Sequence, residues 1–526
     1  MKKLINRSSK FLVMSFLAWG VLGCSDFLDL KPLDVRVEDN FYRTESDATE
    51  ALTSVYDVLQ WNTVQGFHPT PMLLDIASDD AFAGGGSRSD APNIIEIDQD
   101  NIRPTNVEIE GLWKKHFIGI ARANLILARI DGIEASENFK KSVIAQTKFL
   151  RAHFYLDLVR FYGNVPLILE PQNNPNEYCQ PQVAPKLVYD QIARDLEEAI
   201  VDLPAQTIQA SQGRATRWAA KALLARAYLF YKGVYGQEMQ TGSVTVDAPR
   251  ALNHLKDVIN NSGHDLVANY GEIFRRTGEF NRESVWEISY SDLNPWFDWG
   301  YIQGGEGNIQ AQMQGARISN PAAEDYLAGW SFAPVTHDLY TAFEEGDPRR
   351  EATIIVETEY KEGFDKGYQH TGYFSKKYST SKDYAPAAGQ PELNWGNNYR
   401  SIRFSDVLLM AAELDLMTGG GTDAANFLNR VRARVGLPAK VATMDNIFQE
   451  RRVELALEGH RYWDLMRRGV STAATRINAS NTLGPLYTGD EVDFANRFNP
   501  ARLGFFPIPQ SDMDLCAGTL KQNAGY

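Results

Sequence analysis

Several windows of the chain carry apolar residues at the spacing of one helix face. Within residues 146–162 the apolar positions recur at intervals of three and four residues: Leu150, Phe154, Leu158 and Phe161. Gly163 and then Pro166 follow this window, which is the usual order of signals at the end of a helix. The pattern therefore predicts a long amphipathic helix that ends at Gly163.

Other windows predict helices that come in pairs. Residues 46–60 predict a first helix, with Ser46 or Thr44 as its cap, and the alanine-rich window 215–231 predicts a helix that packs closely against its neighbours. Helix pairs are predicted over three stretches: 108–162, 187–232 and 402–435, the last with a glycine turn at 419–421. Their spacing is close to the roughly 34-residue tetratricopeptide period. We therefore predict a mainly α fold, with a tetratricopeptide-like scaffold of helix pairs and a few short strands.

Residues 262–400 have a different character. They are rich in Gly, Pro, Asn, Gln and aromatic residues and contain few long periodic runs, although the alternating piece 285–290 predicts a short strand. We interpret this block as a loop-rich insertion on a helical scaffold formed by residues 40–261 and 400–470. Loops held on a rigid frame are where binding sites concentrate.

The N-terminus has the pattern of an export signal. Four basic residues precede an apolar run at 11–22, which is too short for the roughly 20 residues of a membrane-spanning helix. The run ends in Leu22-Gly23-Cys24, the pattern of a bacterial lipoprotein cleavage site; a plain secretory signal is the alternative. We predict that residues 1–23 are removed, that Cys24 is lipidated, and that a single domain, 24–526, is anchored to a membrane.

Composition and charge narrow the choice of partners. The 526 residues include 53 Lys and Arg against 67 Asp and Glu, a formal charge of −14, and 44% are hydrophobic, as is ordinary for a globular protein. An acidic chain lacks the basic surface that nucleic acid or anionic lipid requires, so neither is a predicted partner. Besides Cys24, only Cys179 and Cys516 remain. Either a disulfide or two isolated thiols fits the sequence.

A set of segments resembles the signature of the SusD/RagB family. These segments are 147–155 with 161–167, 213–225, 346–350, 402–409, 450–465, 507–510 and 520–523. Single segments are weak evidence, but together and in this order they are specific. The resemblance extends over the whole mature chain, from Cys24 to Tyr526.

The resemblance implies a nutrient-binding outer-membrane lipoprotein of mostly helical fold. Such a protein binds an oligosaccharide or polysaccharide at the cell exterior, passes it to a SusC-like TonB-dependent transporter, and is not an enzyme. Acids are sparse after Cys24, so the outward orientation is implied by the resemblance alone. Peptide or protein-derived cargo is the alternative within the family. A glycoside hydrolase, less favoured, would need two carboxylates about 5–10 Å apart, which a sequence cannot place.

Aromatic residues cluster between positions 286 and 301. Trp286 and Tyr290 lie on the alternating piece and are predicted to be in the core. A predicted loop follows and carries four more aromatic residues: Trp296, Phe297, Trp299 and Tyr301. An exposed tryptophan forgoes about 1.5–3 kcal/mol of burial, so a loop tryptophan suggests a ligand with flat apolar faces, such as a sugar.

We accordingly predict glycan-binding roles for Trp296, Trp299 and Tyr301, with Trp330 as a weaker candidate of the same kind. Nearby amides could bond sugar hydroxyls: Gln303, Asn308, Gln310 and Gln312. Packing of the rings against the helical frame is an equally open alternative.

A second predicted cluster lies between Asp75 and Asp90. Its candidate glycan-binding residues are Asp79, Asp80, Phe82 and Arg88, close to three successive glycines. A solvated loop is the alternative. Calcium could also bind these acids, but their order does not match an EF-hand loop, so no metal or other cofactor is predicted. His460 and Asp464 are four residues apart, and we interpret them as a structural pair.

Overall fold

The computed structural model describes residues 41–62, 69–301, 304–487 and 497–526. The predicted signal segment and Cys24 lie outside these residues. The helices are α1 Glu45–Gln60, α2 Thr70–Ile76, α3 Pro92–Asp98, α4 Val107–Arg129, α5 Glu137–Tyr162, α6 Pro185–Asp202, α7 Arg217–Tyr235, α8 Ala248–Asn261, α9 Gln310–Gln314, α10 His337–Ala342, α11 Arg349–Thr353, α12 Phe404–Met417, α13 Thr422–Arg434, α14 Met444–Glu454, α15 Arg461–Arg467, α16 Val470–Ala479 and α17 Gln510–Leu515.

The strands are short and form antiparallel pairs. They are β1 Val165–Pro166 with β2 Gln182–Val183, β3 Met239–Gln240 with β4 Thr245–Val246, β5 Ser284–Ile288 with β8 Tyr399–Arg403, and β6 Ile354–Val356 with β7 Tyr373–Ser375. The prediction of a mainly helical fold with few strands is confirmed. Within the described ranges, no helix combines the length and apolar character needed to cross a bilayer.

Local sequence signals determine where the long helices begin and end. Thr44 caps α1: its hydroxyl accepts a hydrogen bond from Asp47 N at 3.2 Å, and the Asp47 carboxylate accepts one from Thr44 N at 2.9 Å. Helix α5 ends at Gly163, whose φ of +66° favours glycine. The predicted positions of both ends are confirmed.

The long helices stack on their sequence neighbours. Contacts join α4 to α5, α5 to α6, α6 to α7 and α7 to α8, and α12 packs against both α8 and α13. The α8–α12 contact continues the stack across the segment between them, so that residues 262–403 emerge from the side of the helical layer. The tetratricopeptide-like geometry of the pairs stays a prediction.

The ends of this insertion meet in one sheet. In the β5–β8 pairing Ser284 lies opposite Arg403, and Ile288 opposite Tyr399. Trp286 of β5 is fully buried and packs edge-on against Phe149 of α5 at 4.8 Å between ring centroids. The segment between β5 and β8 therefore leaves and re-enters the helical layer at the same two-stranded sheet. The predicted core position of Trp286 is confirmed.

Buried ion pairs connect the insertion to the C-terminal helices. Arg403, at the end of β8, donates to Glu283 at 2.6 Å, to Glu454 at 2.9 Å and to Glu458 at 2.8 Å, and all four side chains are fully buried. Burial alone would raise the pKa of Glu454, but Arg434, Arg403 and Arg349 outweigh it and hold that pKa below its usual value. These charges are paired inside the fold.

The same arrangement explains most of the charged family segments. Arg451 of α14 donates to Asp406 at 2.6 Å and to Asp464 at 2.9 Å, and Arg467 donates to Asp464 at 2.9 Å. Asp464 is thus held by two arginines, which confirms that it is structural. Three of the segments that carry the resemblance, 346–350, 402–409 and 450–465, therefore supply much of this buried network.

Acid should weaken this network. Arg451 and Arg226 outweigh the effect of burial and lower the pKa of Asp406, and the arginines around Glu454 do the same there. The stability from these two groups is present above about pH 4 and lost as pH falls below their unfolded-state pKa of about 4. At Asp80 the effect of burial prevails and raises the pKa of the carboxyl to about 6. Protonation of Asp80 therefore stabilises the native state as the pH falls below 6.

We therefore expect the free energy of unfolding to fall steeply between pH 4 and pH 3, with the values at pH 7 and pH 5 as references, because the gain from Asp80 is complete at its unfolded-state pKa of about 4. Urea unfolding followed by circular dichroism at these four pH values measures it. Equal urea midpoints at pH 5 and pH 3 would contradict this view of the network.

A disulfide joins Cys179 to Cys516, so the first of the two open alternatives is the one that the structure shows. It ties the loop before β2 to the segment after α17. A crosslink that closes a long loop stabilises a fold by about 2–4 kcal/mol. Dithiothreitol should therefore lower the thermal midpoint of the wild type but not that of a Cys179→Ser/Cys516→Ser variant, as scanning calorimetry would show. The same midpoint with and without reductant in the wild type would refute this expectation.

Candidate functional site

Trp296 anchors the aromatic loop that follows β5. Its ring is half-buried, and its indole N–H donates to the carbonyl oxygens of Asp298 at 2.9 Å and Tyr301 at 3.0 Å. Its backbone N–H donates to Asn394 Oδ1 at 2.7 Å. A Cβ at Gly304 would lie 2.3 Å from the indole, so this position requires glycine. These contacts fix the path of the loop, and the glycan-binding role of the half-buried Trp296 ring stays a prediction.

Trp299, at the tip of this loop, lies beside Trp330. Their ring centroids are 6.1 Å apart and the rings are inclined by 29°, which is a stacked arrangement. Trp299 is 41% exposed, and Trp330 is half-buried. Two of the tryptophans predicted from separate segments thus form one aromatic surface, which we call the tryptophan platform.

The Trp330 side of the platform rests on a rigid backbone. Trp330 N donates to Gln312 O at 2.9 Å, and Gly329 N donates to Ala316 O at 2.7 Å. A Cβ at Gly329 would lie 2.3 Å from Gly315 O, so only glycine permits this close approach. Trp330 is therefore held in place by the backbone of the insertion.

The glycine loop that carries Arg88 adjoins this segment. Gly85 N donates to Ser331 O at 2.9 Å, next to Trp330 in the chain. Asp90 accepts from Gly86 N at 2.7 Å and from Arg317 at 2.9 Å, which closes the loop. Arg88 is exposed at the loop tip. The predicted residue Arg88 thus lies on a loop that borders the platform.

The structure corrects the prediction that Asp79 and Asp80 bind glycan. Both are fully buried: Asp79 accepts from Arg461 at 2.7 Å and Asp80 from Arg452 at 2.9 Å. Phe82 is also fully buried, with the Arg497 guanidinium 4.6 Å from its ring centroid. Side chains without solvent exposure cannot contact a ligand, so these three residues are structural and belong to the charged network.

Of the remaining predicted residues, one is exposed and the amides that the structure describes are buried. Tyr301 is 56% exposed and contacts Trp296 edge-on at 6.3 Å between centroids, so it is accessible at the base of the loop. The amides predicted to bond sugar hydroxyls are instead buried: Asn308, Gln310 and Gln312; Gln303 lies outside the described residues. Gln312 Oε1, for example, accepts from Trp395 Nε1 at 3.3 Å inside the insertion.

Two features of the site were not predicted. Phe297 lies on the predicted aromatic loop but was given no glycan-binding role, and the structure leaves it 64% exposed. The Arg317–Asp90 bond, which couples the Arg88 loop to the insertion, had no sequence signal, because its partners lie 227 residues apart. Within the described residues, no group of three or more His, Cys, Asp or Glu side chains is arranged to hold a metal ion.

Comparison with known proteins identifies the class. Residues 282–526 match the sequence model described as the SusD family, and residues 26–229 match one described as "Starch-binding associating with outer membrane". A solved structure that is 34% identical covers 92% of this chain. The chain belongs to the SusD family, which confirms the resemblance found in the sequence.

Three proteins are similar to this chain over most of its length. The 34% identical structure is a "Laminarin binding SusD-like protein", all of which is covered, with a TM-score of 0.80. Surface glycan-binding protein A from Bacteroides thetaiotaomicron, in complex with laminarihexaose, is 29% identical, with 91% of this chain and 99% of that chain covered and a TM-score of 0.80. SusD-like protein P25 from Formosa agariphila is 26% identical over 87% of this chain and 89% of that protein.

Proposed function

We propose that the protein is a glycan-binding lipoprotein of the outer membrane that captures an oligosaccharide or polysaccharide and delivers it to a SusC-like TonB-dependent transporter without cleaving it. The observation that carries this proposal is the tryptophan platform, formed by Trp299 and Trp330 on a SusD-family fold. The anchor at Cys24 and the outward orientation are part of the same proposal, and the description of the matched family as associating with the outer membrane supports it.

The platform has the chemistry that sugar recognition requires. An indole face covers the C–H groups of a pyranose ring and removes apolar area from water, and a flat ring is well suited to this because it loses little conformational freedom on binding. Arg88, Asp298 and Tyr301 are exposed and can serve the sugar hydroxyls as donors or acceptors. Exposed polar groups around exposed rings suit a shallow site that binds a polymer weakly.

Laminarin is the ligand class that we propose first. Two similar structures carry laminarin or laminarihexaose in their descriptions, at 34% and 29% identity. Peptide cargo, the alternative within the family, has no comparable support in the platform geometry.

Native affinity electrophoresis of the purified protein in gels containing laminarin, starch or a protein digest tests the proposal, with reducing-sugar release measured on the same samples. We expect retardation by laminarin and no release of reducing ends. Retardation by the protein digest alone would favour peptide cargo. Release of reducing ends would replace the binding function with a glycoside hydrolase.

A further inference from the structure

A cavity in the insertion is lined by neither tryptophan of the platform. It has a volume of about 700 Å³ and lies between the 269–275 segment, helix α11 and the 381–384 turn. This volume is in the range of small-ligand sites. Phe274, Lys377 and Tyr384 line it and are buried, and Lys377 is already paired with Glu458 at 2.6 Å. We call it the insertion pocket.

Two covalent or ionic links place the insertion pocket next to the platform. Tyr326 lines the pocket and precedes Trp330 by four residues, so at most about 13 Å of chain, at 3.3 Å per residue, separates them. Arg275 also lines the pocket, and its neighbour Arg276 donates two hydrogen bonds, of 2.7 and 2.8 Å, to Asp292 at the base of the Trp296 loop. The segment that carries Trp330 therefore continues into the pocket wall, and the loop that carries Trp299 is joined to that wall by an ion pair.

The charges around the pocket mouth pair with one another. Arg275 lies 3.4 Å from Asp383 and 3.5 Å from Glu272, and Lys376 lies 3.5 Å from Glu359. These contacts are long and partly exposed, so they can open to accept other hydrogen bonds at little cost. Since neither sign is in clear excess, the pocket has no preference for a charged ligand.

The remaining lining suits a sugar. Tyr326 is half-buried and offers an aromatic surface, and the mouth supplies both donors and acceptors. Aromatic area together with many polar groups and balanced charge fits a neutral ligand rich in hydroxyl groups.

We propose that the insertion pocket is a second carbohydrate site, which binds another stretch of the same neutral glycan. This inference rests on the proposed function. Two sites on one protein convert the second binding event into an intramolecular one, so a polymer that reaches both is held more tightly than a short oligosaccharide at either site.

The test uses laminarihexaose and a pocket-filling variant, Gly271→Leu. Gly271 lines the pocket, and a Cβ there would meet Asn269 and Ala352 at ordinary distances of 3.6 and 3.7 Å, so the backbone tolerates the change while the side chain occupies the cavity. Gly132→Leu is the matched control, because a Cβ at Gly132 has no atom within 4 Å. Should Gly271→Leu fail to fold, Asp325→Ala/Lys382→Ala, two exposed residues of opposite charge at the mouth, repeats the test.

Calorimetry and tryptophan fluorescence separate the two sites. Within the described ranges, no pocket-lining residue is a tryptophan, so fluorescence reports the platform while heat reports both sites. We expect the wild type to bind either two hexaose molecules or one that spans both sites, and Gly271→Leu to bind one with less heat, while the amplitude of the fluorescence response is unchanged. The apparent affinity for polymeric laminarin should fall at least about tenfold in this variant.

One hexaose per protein in both forms, with the same heat, the same affinity and a normal fluorescence response, would overturn the second site and leave the proposed function intact. Loss of heat and fluorescence together in Gly271→Leu would also overturn it, because the pocket and platform would then be one site. Absence of any heat or fluorescence response to hexaose and to laminarin in the wild type would overturn both proposals.

Discussion

Replacing Trp299 and Trp330 together by alanine should weaken the binding of laminarihexaose by about 30-fold or more at the platform. Each indole that covers a sugar face contributes about 1–2 kcal/mol of burial, and each 1.4 kcal/mol is a factor of ten in the dissociation constant. The stacked rings, 6.1 Å apart, form one surface, so the double variant removes the platform as a unit. Tryptophan fluorescence and calorimetry on the purified variant measure the loss.

Two control variants test whether the loss of binding is specific to the platform. Tyr178→Ala removes an aromatic ring that is more exposed, at 54%, than that of Trp299 and lies beside the disulfide. It should bind like the wild type. Trp296→Phe keeps an aromatic ring but loses the N–H that holds the loop carbonyls, so it should bind more weakly than the wild type and more tightly than the double alanine variant. Unchanged affinity in the double alanine variant would exclude the platform as the ligand site.

Arg403→Met should destabilise the fold by about 3–5 kcal/mol, the usual loss when one partner of a buried ion pair is removed. Methionine has a similar length but leaves Glu283 and Glu458 buried with fewer cationic partners. Because Arg403 ends β8 and binds residues on both sides of the insertion, the loss should also loosen the insertion. Urea unfolding followed by circular dichroism measures the free energy of unfolding.

The matched control for this variant is Arg282→Met. Arg282 also pairs with a carboxylate, Asp265 at 2.5 Å, but its side chain is 59% exposed. Exposed pairs contribute about 0–1 kcal/mol, so this variant should stay within about 1 kcal/mol of the wild type. Equal stabilities of the Arg403→Met and Arg282→Met variants would show that the buried network does not stabilise the fold.

The helical scaffold could be predicted because its signals are local. The capping box at Thr44 and the glycine at position 163 act within a few residues of the helix ends that they determine. The network that packs the scaffold could not be predicted, since its partners are distant. Arg452 and Asp80 are 372 residues apart, and the two adjacent acids followed by glycines resembled a solvated loop.

Only part of the site could be predicted, again because local signals can be read from the sequence and distant contacts cannot. Two tryptophans in a polar, glycine-rich context could be recognised as binding candidates from local composition. Which ring is exposed depends on tertiary contacts: Trp296 turns inward onto Gly304, whereas Trp299 points out to meet Trp330. No periodicity distinguishes two tryptophans three residues apart on an irregular loop.

A crystal structure of the protein soaked with laminarihexaose tests the central claim most directly. We expect electron density for a pyranose ring that packs on the indole of Trp299 or Trp330, with its hydroxyls close to the loop that carries Arg88. Density for the hexaose on another surface, with the Trp299 and Trp330 rings uncovered, would contradict it.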